Sequence, residues 1–164
     1  LRFFISPDIK KNTLLKLIVA FTVLFFLFLW ITNFLLYFQI GFSYESVVEY
    51  YLGSEQDFRP PRSYLGMLEE AHFHFFAMAI ILVTLNHLIL FTKIGNFWKL
   101  LLILSSYLSA LGDIAGGWLI LYVSPDFAYL KIASLLVLQV SLAALMIIVI
   151  WFLYGYSDHQ DSYG

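Results

Sequence analysis

Three histidines fall in one apolar stretch of the chain. His72 and His74 open it, in Glu69-Glu70-Ala71-His72-Phe73-His74, and His87 closes it, in Asn86-His87-Leu88. Imidazole is the commonest metal ligand and titrates near neutral pH, and ionisable groups are costly in lipid, so these positions point to ligation or proton transfer. On a helix His72 and His74 stand about 200° apart and cannot share one metal unless the helix begins after them. His72 and His87 differ by about 60° in azimuth and roughly 22 Å along the axis, so they address the two halves of one face. His74 and His87, about 220° apart, fit a shared face poorly. Glu69 and His72 have the Glu-x-x-His spacing of di-iron carboxylate bundles, but such sites need two copies and two further glutamates, and one copy is present. Glu70 and His74, four apart, suit a carboxylate–imidazole pair.

A second group of polar residues is set in apolar surroundings. Asp113 is an intramembrane acid within Leu111-Gly112-Asp113-Ile114-Ala115-Gly116-Gly117, and Gly112 and Gly116 form a GxxxG face that admits another helix or a flat cofactor. A carboxylate at roughly 12 Å depth must be matched or protonated. Gln139 is expected at similar depth, with Asn33 and His74 nearer the outer boundary. Together these four residues form a polar layer that hydrogen-bonds a quinone, orients a haem ligand or relays protons; the plainer reading is interhelical hydrogen bonding worth about 0.6–2 kcal/mol each.

These residues must be held by membrane-spanning helices. The 164 residues are 62% hydrophobic and 12% charged, outside the soluble range. Four unbroken apolar runs, roughly Leu14 to Tyr37, Ala71 to Thr92, Phe97 to Leu121 and Leu130 to Tyr154, each meet the length of about 20 residues that a span needs. They do not alternate as barrel strands would. The expectation is an all-α, four-helix transmembrane bundle with up-down topology, one membrane domain over 1–164. The first run is too long for a signal-peptide core and lacks a small-residue cleavage site, so it reads as a retained span.

Between the first two runs, Ser43 can cap a short helix over Tyr44 to Leu52 ended by Gly53, and Ser63 can cap a turn leading into the second span. Arg2, Lys10, Lys11, Lys16, Lys93 and Lys99 lie on one side of the bundle, against Arg59, Arg62 and Lys131 on the other. This bias places both termini in the cytoplasm and residues 38–70 outside, in a bacterial inner membrane. Tyrosines and tryptophans, among them Tyr37, Tyr51, Tyr129 and Trp151, fall near the expected interfaces. The absence of cysteine excludes disulfides, iron–sulfur clusters and c-type haem attachment by this chain alone. No basic tract interleaved with aromatics suggests nucleic acid.

The spaced histidines of the second run resemble the ligand pattern of membrane b-type cytochromes, whose bundles hold haem between imidazoles and exchange electrons with quinones. The resemblance covers that run only. It implies haem b, or a quinone, bound through His72, His74 or His87, with Asp113 and Gln139 assisting, in an electron-transfer subunit of a larger complex. The departure is that the other three spans hold no histidine, and His159 lies in the polar tail. The opposing ligand must therefore come from a second copy, a partner subunit, or a methionine among Met67, Met78 and Met146. The implied partners are lipid, other membrane subunits or a second copy, and a periplasmic cytochrome. Arg59 and Arg62 suit haem propionates, lipid phosphates, or Glu55 and Asp57. Two other functions remain open, a non-catalytic accessory subunit and a proton pathway through Asp113 and the histidines. As a whole, the chain also resembles small four-span bacterial membrane proteins, through His-Phe-His, Asn-His and Gly-Asp-Ile-Ala-Gly-Gly-Trp; that likeness implies no activity.

Overall fold

The computed structural model describes residues 12–155. It contains four long helices and one short one: α1 (Thr13–Ile40), α2 (Tyr44–Leu52), α3 (Tyr64–Ile89), α4 (Asn96–Tyr122) and α5 (Phe127–Tyr154). All but α2 are long and apolar enough to cross a bilayer, at about 1.5 Å rise per residue. The protein is a multi-pass, all-α membrane bundle.

The caps show why the helices start where they do. Ser43 Oγ accepts from the Ser46 N–H and Ser63 Oγ from the Gly66 N–H, each satisfying an otherwise orphaned donor of the first turn. Gly53, at φ +85°, ends α2 in a conformation that L side chains resist. Both capped starts and the end of α2 lie where the serines and Gly53 place them. The second span begins earlier than its apolar run, because the Ser63 cap adds two turns, Tyr64 to Glu70, ahead of Ala71.

Hydrophobicity does not distinguish the buried face of these helices from the lipid face, since both environments are apolar. Phe25, Phe76 and Ile147, all strongly exposed, face the surrounding lipid. The pattern of contacts makes α5 the hub: it packs against all four other helices, most extensively α4. Of the most apolar stretch of α5, 44% is buried, against 11% for α1. The first span leans on α5 and α2 rather than on the next span, so the first two spans of the up-down bundle are not packed side by side. The reason is the long connection, with α2 folded into it, which frees α1 to lie beside the last helix.

α2 lies over one end of the bundle, where Val47 and Tyr51 pack with Met67, Ile120 and Ala128. A second apolar cluster, including Val23, Leu85, Ile89, Leu145 and Val149, fills the middle and opposite end. The close α4–α5 contact depends on missing side chains. A Cβ on Gly116 would stand 3.0 Å from Lys131 Cβ and 3.1 Å from its Cα, and one on Gly112 would collide with Ser134 Oγ. The GxxxG face is thus occupied by α5, not by a flat cofactor.

Candidate functional site

A buried polar cluster centred on Asp113 lies beneath α2. Asp113 on α4 and Lys131 on α5 form an ion pair, Nζ to Oδ1 at 2.9 Å, with both side chains 5% exposed. Lys131 Nζ also donates to the Asp113 carbonyl oxygen at 2.8 Å. Tyr37, near the end of α1, donates its hydroxyl to the same Oδ1 at 2.9 Å. The ammonium lies 5.7 Å from the Tyr37 ring centre and 5.9 Å from that of Tyr51, within cation–π range. Tyr51, on α2, rests against Gly117, where a Cβ would stand 2.9 Å from its ring. Burial pushes the Tyr51 phenol well above its ordinary range, so it stays neutral.

A buried ion pair pays desolvation on both charges and is weak grounds for stability. Here the charges are also hydrogen-bonded, the condition under which a pair is tolerated at membrane depth. A small cleft reaches the pair, lined by Tyr51, Met67, Glu70, His74, Asp113 and Lys131 among others. Its enclosed space is about that of a single water molecule, so it suits water rather than a larger ligand. At its rim Arg62 pairs with Glu70 at 2.9 Å and hydrogen-bonds the Tyr50 hydroxyl. Burial raises the Tyr50 phenol too. Arg59 pairs with Asp57 at 2.9 Å and with Glu49 at 3.5 Å, so the expected Asp57 partner is present while Arg62 is taken up by Glu70.

The histidines separate. α3 is continuous through His72 and His74, which therefore face different ways: His72 is exposed, as is His87, while His74 is partly buried at the cleft. The Glu70–His74 contact is not carboxylate to imidazole. His74 Nδ1 lies 3.0 Å from the Glu70 backbone oxygen, and the Glu70 carboxylate turns to Arg62, whose guanidinium makes a charge-assisted hydrogen bond with it. With a hydrogen on Nδ1, Nε2 becomes the basic nitrogen. No group of three or more histidine, aspartate or glutamate side chains is placed to hold a metal among the described residues. A haem enclosed by the described part of this one bundle does not fit: His74 faces a small cleft lined by no other described imidazole, and His72 and His87 are exposed on the outside of α3. His159 lies outside the described residues.

The expected polar layer is corrected in two respects. Asp113 is paired by Tyr37 and Lys131, not by Gln139, Asn33 or His74. Gln139 sits deeper: Gly112 faces Ser134 and Ser105 Oγ lies 3.0 Å from Ser141 Oγ, so the antiparallel register sets Gln139 across from about Tyr107, roughly 9 Å below Asp113. Lys131, an outer flanking charge by its place in the sequence, lies one turn inside α5. A signal for this exists in the spacing. Asp113 and Lys131 are each nine residues from Tyr122, at the α4–α5 turn, so a tight antiparallel hairpin brings them level. Tyr37 and Tyr51 carry no such signal, since their types suit any membrane interface.

A family model described as a transmembrane helical domain matches residues 41–160. No curated protein and no solved structure matches the chain.

Proposed function

The chain belongs to the Aq_1264_TM family of transmembrane helical domains, and on that premise we propose that it is a membrane subunit whose Asp113–Lys131–Tyr37 cluster exchanges protons at the outer half of the bilayer. The observation that carries this reading is a fully buried, hydrogen-bonded acid–base pair at the bottom of a cleft that also holds His74 and Glu70. Intramembrane ionisable residues of this kind are functional-site candidates by default, proton relays among them. A proton arriving along the cleft neutralises the Asp113 carboxylate, which leaves the Lys131 ammonium unpaired. Release of a proton from Lys131 restores a neutral pair, so one proton enters and one leaves with no net charge stranded in the bundle. His74, which lines the same cleft, offers an imidazole to this exchange. Electron transfer through a quinone at the cleft, or through haem completed by another chain, is a less supported form of the role, since Asp113 already has its partners within this chain.

The test is an infrared titration of the full chain in bilayers, using Asp113→Asn to identify the Asp113 carboxyl band. The band should respond to the pH of the bathing solution. A band unmoved over the whole range in which the protein stays folded would remove the proton reading. It would favour the alternative of an accessory subunit, for which the relevant observation is that the same pair fastens α4 to α5.

The orientation belongs to this proposal. With Lys131 withdrawn from the count, Lys16, Lys93 and Lys99 at one end still outnumber Arg59 and Arg62 at the other, which sets the α2 end outward in a bacterial inner membrane. Arg2, Lys10 and Lys11 lie outside the described residues. The chain has no cysteine, so a thiol probe confined to the outside should label a cysteine introduced at Gln56 and miss one at Gly95. The reverse pattern would invert the topology.

A further inference from the structure

Below the ion pair, a second buried polar layer has more hydrogen-bonding capacity than the protein satisfies. Asn86 Nδ2 donates to Ser106 Oγ at 3.2 Å, which fixes Asn86 at the level of Ser106. The α4–α5 register puts Gln139 at nearly the same level. Asn86 is 6% exposed and Gln139 3% exposed. Asn86 Oδ1 and both amide atoms of Gln139, Oε1 and Nε2, have no partner among the described residues. A polar atom buried in this way forfeits its hydrogen bonds, and in hydrocarbon no bulk solvent restores them.

The ligand these atoms require is constrained by their chemistry. Two acceptors and one donor call for a molecule that both donates and accepts hydrogen bonds. Exposures of 3% and 6% keep lipid and any partner helix away from the amides. Among the described residues, no carboxylate lies at this level to hold a cation. We propose that Asn86, Ser106 and Gln139 form a water-binding site in the middle of the bundle, filled from the α2 end past Asp113. Water meets its usual two to four polar partners there. The route is polar on one side only. Ser109 and Ser134, both buried, lie between Asp113 and the amide layer. Beyond that layer Ile89, Leu145 and Val149, none more than 1% exposed, close the opposite half. The bundle is thus a hydrated half-column with an apolar plug, and any proton reaching Asp113 comes from the α2 side. This rests on the proton-site reading only for its purpose, since hydration itself needs no proton exchange.

Water-edited solid-state NMR on the full chain in bilayers tests it without any substitution. Magnetisation should pass from water to the side-chain amide of Gln139 and not to the methyl groups of Ile89 or Val149; a Gln139 amide as dry as Val149 would overturn the site. Direction is tested with silver ion, a thiol reagent of nearly water size, on Ser109→Cys in oriented vesicles. Silver added at the α2 side should abolish later maleimide labelling, and Ile89→Cys should be protected from both sides. Protection of Ser109→Cys from the α2 side, with attack from the other, would reverse the route and defeat the proposal. The two readings can fail separately. A wet amide with an Asp113 band that never titrates would sink the proton reading alone, and a dry amide with a titrating band would sink this one.

Discussion

Lys131→Met is expected to lower the unfolding free energy of the chain by about 3–5 kcal/mol, while Asp113→Leu combined with Lys131→Met should regain most of that loss. Methionine keeps the unbranched stem that passes Gly116, so packing changes little. What it leaves is a carboxylate at 5% exposure whose remaining partner is the Tyr37 hydroxyl, an uncompensated charge at membrane depth. Removing both charges removes that penalty. Unfolding in mixed micelles, by titration with a denaturing detergent, measures the three variants side by side. Single and double variants of equal stability would show that the charges are not coupled. A double variant that is stable but inactive would separate the chemistry of the pair from its role in fastening α4 to α5.

Gly116→Val should cost about 2–3 kcal/mol, because its Cβ meets the Cβ and Cα of Lys131 at 3.0 and 3.1 Å. A backbone atom cannot swing aside as a side-chain tip can, so α4 and α5 must separate along their most extensive contact. Gly116→Ala should cost less, since it adds the same Cβ without the branch. Gly95, where an added Cβ would find nothing within 4 Å, supplies the control: Gly95→Ala should stay within about 0.5 kcal/mol of the parent. The same denaturation series reads all three. Separation of the helices should also lengthen the Asp113–Lys131 contact, so Gly116→Val is expected to change the infrared band of Asp113, whereas Gly95→Ala is not. Equal stability of Gly116→Val and the parent would mean that α4 and α5 do not meet at this register.

Membrane residence, four spans and the local helix signals were determined by the sequence itself. Four apolar runs long enough to cross a bilayer have no other stable use, and the caps of Ser43 and Ser63 and the positive φ of Gly53 act through atoms a few residues apart. The importance of Asp113 was equally legible, because a lone acid between glycines in an apolar run is costly wherever the run ends up. Its partners were not. Whether Gln139, Lys131 or Tyr37 reaches that carboxylate depends on the registers of α1 and α5 against α4, and in lipid no amphipathic pattern records which face of a helix turns inward. The histidines show the same limit: their spacing correctly separated His72 from His74, but only the packing of α3 decided that His74 would meet the cleft and that His72 and His87 would not. Covalent spacing acts over a turn or two of helix, whereas the site is assembled from five helices by side-chain fit.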